Sequence, residues 1–199
     1  MRIRNIFLGG VVEAAAFDPP EFATMIPTIE TERLILRPHR LDEFEAYANF
    51  WADPEVVRFI TGVPSTRENS WGRMLRVTGM WHLMGFGFLA IEEKATGRFL
   101  GETGFQDMRR EFQPSIEGTL ETGWALIPAV QGLGYATEAA AAMVDWGARH
   151  FPQMEMTCII SPANDASLRV AAKLGFRETA RTDYHGPIVV LSRLNSAVV

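Results

Sequence analysis

Between a strand-like run, Glu121-Thr-Gly-Trp-Ala-Leu126, and an alanine-rich helical run beginning near Ala136 lies Gln131-Gly-Leu-Gly-Tyr-Ala-Thr137. No other stretch so narrows what this chain can become. A strand that turns through glycines into a helix leaves several backbone N–H groups unpaired and aimed at one point, beside the positive end of the helix dipole. The expectation is a phosphate cradle. Downstream, Asn164-Asp-Ala-Ser167 opens a second helix that closes on Leu174-Gly175. A cradle and a polar helix start together suggest a cofactor with phosphates and a polar tail.

The chain has 199 residues, 47% hydrophobic and 22% charged, enough for one sizeable core. Its formal net charge of −5 argues against a nucleic-acid surface and is compatible with a cationic substrate such as an amine. The single cysteine, Cys158, excludes an internal disulfide framework, and His39, His82, His150 and His185 show no metal-ligand spacing, so no metal is expected. A reducing cytoplasm fits this usage. No run reaches the roughly 18 apolar residues of a membrane span. At the N-terminus, Met1-Arg-Ile-Arg and the short apolar run Ile6 to Val12 faintly resemble a secretory signal, but Glu13 stands where a cleavage region should be neutral. We therefore expect residues 1–26 to form a flexible extension, with Met25 an alternative start, and residues 27–199 to form one domain.

From Thr31 the pattern becomes regular. Arg33 to Arg37 reads as a strand, and Leu41-Asp42 opens a helix that Asp53-Pro54 should stop. Pro64-Ser65-Thr66 starts a longer helix, and Gly85 and Gly87 end it. Strands over Phe86 to Glu92 and Phe99 to Phe105 join through Ala95-Thr-Gly97 in hairpin fashion. The strand at Glu121 and the central helix follow. Ala136, Ala139, Ala140, Met143, Val144, Gly147 and Phe151 give that helix one apolar stripe, with Glu138, Asp145 and Arg149 facing elsewhere. A strand near Thr157 to Ile160, the helix from Asn164, and strands over Phe176 to Thr182 and Ile188 to Leu194 complete the pattern.

Three phosphate loops compete for the glycine stretch. A Walker loop needs Gly-Lys-Ser/Thr where this chain has Gly-Tyr-Ala, and a dinucleotide fingerprint needs a third small residue where Thr137 stands. The third is an acyl-CoA loop. Gln131-x-x-Gly134-x-Ala136 resembles the (Gln/Arg)-x-x-Gly-x-(Gly/Ala) signature of the GNAT superfamily of N-acetyltransferases. Thr31-Glu-Arg-Leu-Ile-Leu-Arg37, Gly134-Tyr-Ala-Thr-Glu-Ala139 and Asn164-x-x-Ser167-x-x-Val170-x-x-Lys173-Leu-Gly-Phe176 are similar to blocks of the branch related to ribosomal-protein-alanine N-acetyltransferases. The resemblance spans roughly Pro27 to Leu194.

That resemblance implies an α+β, three-layer fold. Its centre would be a mixed, mostly antiparallel sheet of about six to seven strands flanked by helices, with a splayed parallel strand pair forming the cofactor cleft. It implies acetyl-CoA as co-substrate, with the pantetheine arm on main-chain groups of Leu126 and Ile127. The pyrophosphate would rest on backbone N–H groups of Gly132, Leu133, Gly134, Tyr135, Ala136 and Thr137, with Gln131 at the entry. The acceptor would be a small-molecule or peptide amine, and the protein a monomer or homodimer. Within this picture Glu121 is the first candidate to accept the amine proton, with Glu102, Asp107 and Glu117 as rivals. Ser167 would meet the coenzyme sulfur, and Asn164 would cap its helix while contributing to the same site. Cys158, in an apolar run, reads as a packed thiol. The acceptor wall would draw on Trp81, Met84, Tyr184 and His185. A non-catalytic acyl-CoA-binding module and a dinucleotide-dependent oxidoreductase are the alternatives.

Overall fold

The structure is a computed structural model and describes residues 26–193. The signal-like segment, residues 1–25 of the expected 1–26 extension and the strand end at Leu194 lie outside the described residues. Eight strands form one sheet in the order β1-β2-β3-β4-β5-β6-β8-β7. They are β1 (Ile29–Glu30), β2 (Leu34–Arg37), β3 (Phe88–Glu93), β4 (Phe99–Gln106), β5 (Leu120–Leu126), β6 (Met156–Ile160), β7 (Arg177–Asp183) and β8 (Pro187–Arg193). The helices are α1 (Phe44–Ala52), α2 (Pro54–Val57), α3 (Arg67–Met84), α4 (Tyr135–His150) and α5 (Asp165–Lys173). The eighth strand exceeds the expected count because Ile29 and Glu30 pair with Leu36 and Ile35, a ladder too short to leave a periodic signal.

Every neighbouring pair is antiparallel except β5 and β6. A strand followed by a sixteen-residue helix and another strand must return in the same direction to pair beside the first, so α4 dictates the parallel join. The α4 stripe packs as its spacing predicts, with Ala139, Ala140, Met143, Val144 and Gly147 buried. Trp146 is buried as well, set edge-on to Trp81 at 5.3 Å. Gly147 has to be small: a Cβ there would lie 2.7 Å from the Phe105 ring and 2.9 Å from the Met156 methyl.

Asp53-Pro54 does not simply stop α1. The Asp53 carboxylate accepts from the Glu55 N–H (2.9 Å) and Pro54 supplies the preset φ of a first helical residue, so the pair opens α2. The sequence signal for a break and that for a new start are the same two residues. The α3 limits match their signals, with Thr66 accepting from the Asn69 N–H and Gly85 left-handed at φ 75°.

A register shift in β4 decides which face each side chain meets. Ile91 pairs with Gly101 but Glu92 pairs with Phe99, so Leu100 is an extra residue. Phe99 consequently joins the cluster around α1 and Leu100 the main core. Beyond the bulge Glu102 turns toward α3, where it pairs with Arg73. Gly101 makes this possible at φ 148°, where a Cβ would fall 2.0 Å from the Ala125 carbonyl oxygen. Replacing Gly101 with Ala is expected to lower unfolding stability by about 2 kcal/mol or more, since backbone rather than a flexible side chain must yield. Urea unfolding of G101A measures this, and an unchanged midpoint would contradict the close approach.

Candidate active site

The parallel pair is brief. Only Leu120 with Met156 and Glu121 with Thr157 are in register, and beyond them β5 and β6 part. Thr119 and Thr157 hydroxyls, 2.7 Å apart, tie the closed end. Which peptide groups face the gap follows from strand alternation. The Leu120 N–H donates toward β6, to the Glu155 carbonyl at 2.9 Å. The Gly123 carbonyl accepts from Thr103 at 3.0 Å, and the Ile127 N–H donates to the Leu100 carbonyl at 2.8 Å, both toward β4. The peptide groups of Trp124 and Leu126 therefore point into the open seam. This corrects one expectation. Ile127 has its N–H given to Leu100 and its carbonyl taken by the Val130 N–H at 3.2 Å, so neither group is open to the seam. Gln131 turns back along the loop, its Nε2 standing 3.5 Å from the Leu126 carbonyl.

At the open end the chain turns through Gly132 (φ 79°) and Gly134 (φ 85°) into α4. The first intrahelical bond runs from the Glu138 N–H to the Gly134 carbonyl at 3.0 Å, leaving Tyr135, Ala136 and Thr137 N–H groups without an intrahelical acceptor. Leu133 is exposed. The cradle is braced from behind by the turn before β2. Glu138 accepts from the Thr31 hydroxyl (2.6 Å), the Arg33 N–H (2.8 Å) and Arg33 Nε (2.7 Å). Arg33 also donates to the Leu133 carbonyl at 3.0 Å and lies 4.2 Å over the Tyr135 ring, whose hydroxyl donates to Glu93 at 2.7 Å. Partial burial raises the Glu138 carboxyl, but the bonds from Thr31 and Arg33 and the Arg33 charge outweigh it and hold it below its ordinary value. Glu138 is thus more than a charge placed on the helix dipole, and Arg33 and Thr31 hold it from a segment that shows in the sequence only as part of a family block.

Glu121 sits at the closed end, buried, on the sheet face toward α1 and α3. Arg110 binds it through two bonds of 2.7 Å and Gln106 through one of 2.8 Å. A carboxylate offers about four lone-pair sites, so three donors leave one. Arg110 lies 5.2 Å from the Tyr184 ring, which also meets His185 at 4.4 Å. Tyr184 and His185 are thereby gathered at the Glu121 end, in the β7–β8 turn. Arg110 gave no signal in the sequence, because its loop follows no period. Burial, and then the Glu121 charge, push the Cys158 thiol up, as suits a packed and unreactive side chain. Across the seam, Asn164 caps α5 by accepting from the Ser167 N–H at 3.1 Å, while the Ser167 hydroxyl has no hydrogen bond among the described residues.

The rival carboxylates have other partners. Asp107 accepts from the Arg109 and Gly118 N–H groups, each at 3.1 Å, and Glu117 pairs with Arg109, so both brace the loop. Glu102 is fully buried, 2.8 Å from Arg73 and 3.4 Å from His39. Two residues expected at the acceptor wall are elsewhere. Trp81 is in the main core with its Nε1 donating to the Phe88 carbonyl at 2.9 Å, and Met84 packs against that core. They lie where the last turns of α3 meet Trp146 of α4.

The pairs around His39 set a pH dependence. Burial raises the Glu102 carboxyl, but the Arg73 charge and His39 prevail and hold it down at about 2. Burial likewise raises Glu43, while His39 and Arg37 bring it down to about 2. Burial lowers His39, yet the facing Glu102 and Glu43 carboxylates, at 3.4 and 3.6 Å, leave it raised. For the two carboxylates the stabilisation is complete above the ordinary value of about 4.3 and is lost as pH falls from there to about 2. For His39 it is complete below about 6.5 and is lost as pH rises through the raised value. Urea unfolding across this range should show both limbs. In E102Q, stability at neutral pH should fall by about 3 kcal/mol or more, and the acid limb should flatten. A second expectation concerns the brace: R33A should weaken acetyl-CoA binding several-fold, read by calorimetry, and unchanged binding would separate the brace from the cradle.

The chain is similar to known proteins. The acetyltransferase (GNAT) domain family matches residues 33–177. The uncharacterised protein YkkB of Bacillus subtilis (strain 168) is 30% identical over 167 residues, 82% of this chain and 93% of its own length. The crystal structure of an acetyltransferase from Agrobacterium tumefaciens str. C58 superposes with a TM-score of 0.72 at 28% identity, covering 96% of this chain and 99% of that one. A ribosomal L7/L12 α-N-protein acetyltransferase in complex with coenzyme A shares the fold, with a TM-score of 0.70 at 16% identity over 86% of this chain and 99% of that one. No helix among the described residues is long and apolar enough to cross a membrane. The family match runs from Arg33 of the brace to Arg177, through the split strand pair and the cradle, and it places the chain in the GNAT family as an N-acetyltransferase, with acetyl-CoA the acyl donor of that family.

Proposed function

We propose that this protein acetylates a primary amine, on a small molecule or a protein N-terminus, by direct attack in a ternary complex. The observation that carries this reading is the continuity of the β5–β6 seam with the α4 cradle: unpaired main-chain groups line one path from the helix start toward Glu121. The residues fit a coenzyme A handle. Trp124 and Leu126 offer strand-like pairing to amide groups, and the N–H groups from Gly132 to Thr137 offer donors to phosphate oxygens. Bound acetyl-CoA supplies an activated acyl group and a thiol whose ordinary pKa of about 8.5 makes its thiolate a tolerable leaving group.

The remaining work belongs to the chain. An attacking amine must lose its proton, and Glu121, with one lone-pair site left by Arg110 and Gln106, accepts it directly or through a water. Arg110 fixes the carboxylate's orientation, so that site faces the groove rather than sampling rotamers. The unpartnered Ser167 hydroxyl is the donor available to the leaving sulfur, and Asn164 holds the turn that presents it.

In E121Q, turnover read by free-thiol release should fall about 100-fold or more while acetyl-CoA affinity persists, the range expected for loss of a general base. Unchanged turnover would remove Glu121 from the reaction. In S167A the loss should be nearer tenfold, because the thiolate departs without full protonation.

A further inference from the structure

Gln106 and Glu121 are Cα partners in the β4–β5 ladder, so their side chains rise next to each other from one face of the sheet. The donors that reach the Glu121 carboxylate are unevenly shared between its oxygens. Oε1 accepts from Gln106 Nε2 at 2.8 Å and from Arg110 Nη2 at 2.7 Å, whereas Oε2 accepts from Arg110 Nε alone, at 2.7 Å. The lone pair left for a proton therefore belongs to Oε2.

The same contacts orient Gln106. A carboxylate offers no donor, so only the NH2 end of the amide can meet it, and the carbonyl oxygen Oε1 is the end left over. That oxygen has no hydrogen bond among the described residues, yet it is not sealed from solvent, and the side chain is only half-buried. Arg110, the other partner of the carboxylate, carries donors only. The pair thus presents one acceptor strong enough to take a proton and, beside it, one that takes only a hydrogen bond.

Two acceptors of unequal strength suit a nitrogen with two N–H bonds. A neutral primary amine attacks through its lone pair and has two hydrogens to place. As the C–N bond forms and the C–S bond breaks, one proton passes to Glu121 and the sulfur leaves with the bonding pair. The other hydrogen stays, as the N–H of the amide product. A neutral amide oxygen is too weak a base to remove that hydrogen, but its hydrogen bond strengthens as positive charge grows on nitrogen, which favours the transition state over the bound amine. A secondary amine has a single N–H. Once Glu121 takes it, Gln106 faces a carbon substituent and its oxygen goes unmet.

We propose that Gln106 binds the acceptor, its Oε1 accepting the N–H that the attacking nitrogen retains, and that this contact selects primary over secondary amines. The inference rests on the amine-acetylation reading with Glu121 as proton acceptor, and it assigns the choice of amine to a residue.

The test sets each primary amine against its N-methyl derivative: ethanolamine against N-methylethanolamine, glycinamide against sarcosinamide, and an alanyl peptide against its N-methylalanyl form. Free-thiol release gives kcat and KM for wild type, for Q106M, which keeps the length without a polar atom, and for Q106T, which keeps a strand-forming residue too short to reach the nitrogen. Uncatalysed aminolysis of acetyl-CoA by the same pairs supplies the intrinsic ratio. Wild type should prefer the primary member about tenfold or more beyond that ratio. Both members lose whatever Gln106 contributes to holding Glu121, so the deciding quantity is the preference itself, which should fall about fivefold or more in each variant, chiefly through kcat of the primary amine, at unchanged acetyl-CoA affinity. A loss shared equally by both members would leave Gln106 as a prop for Glu121 and overturn the inference, as would a wild type no more selective than the uncatalysed reaction. E121Q separates the failures. Wild-type turnover in E121Q sinks the reading of Glu121 and this inference with it, whereas an inactive E121Q beside an unmoved preference in Q106M and Q106T sinks the role of Gln106 alone. Absence of thiol release with every amine sinks the transferase reading itself.

Discussion

A hydrogen-bond ladder that stops early governs this molecule. Had β5 and β6 stayed paired along their length, the peptide groups of Trp124 and Leu126 would be satisfied and the sheet would offer no place for an extended ligand. Two registered pairs hold the strands together at Glu121 and Thr157, and everything past them is open. The sheet survives the split because β6 is paired over all five residues with β8 on its other side. β5 is likewise held by β4 along its length. Unpaired main-chain groups cost free energy when buried, so the open seam is the part of the sheet that an extended ligand would satisfy.

The same logic explains where the sequence spoke clearly. The glycine turn, the α4 stripe and the Asn164 cap are local: each depends on residues within a turn or two, and each is found where its pattern puts it. The family resemblance added the parallel pair and its splay, which no periodicity encodes. What escaped detection depends on contacts between distant segments. Arg110 meets Glu121 from an aperiodic loop, and Arg33 reaches Glu138 across 105 residues. Leu100 as a bulge has no composition signal, yet it decides that Glu102 faces Arg73. Trp81 and Met84 lie in or against the main core rather than at the acceptor wall, because an apolar residue type says that a side chain is covered but not by what.

Charge is organised in alternating series rather than isolated pairs. Glu92, Arg37, Glu43, His39, Glu102 and Arg73 follow one another by contacts of 2.6 to 3.6 Å. A single buried carboxylate among aromatic rings would be costly, and a chain of opposite signs offsets that cost while fastening β2, β3 and β4 to α3. The layer between the sheet and α3 is thus electrically balanced.

The brace behind the cradle has a consequence for the order in which the protein becomes competent. Thr31 and Arg33 leave the ribosome more than a hundred residues before Glu138, the group that they grip. Until that long loop closes, α4 can form its turns but the glycine stretch has no wall to lean on. Ligand affinity and the docking of the first hairpin therefore draw on a single linked equilibrium, so that a bound cofactor fastens the opening strands of the chain as firmly as those strands shape its cradle.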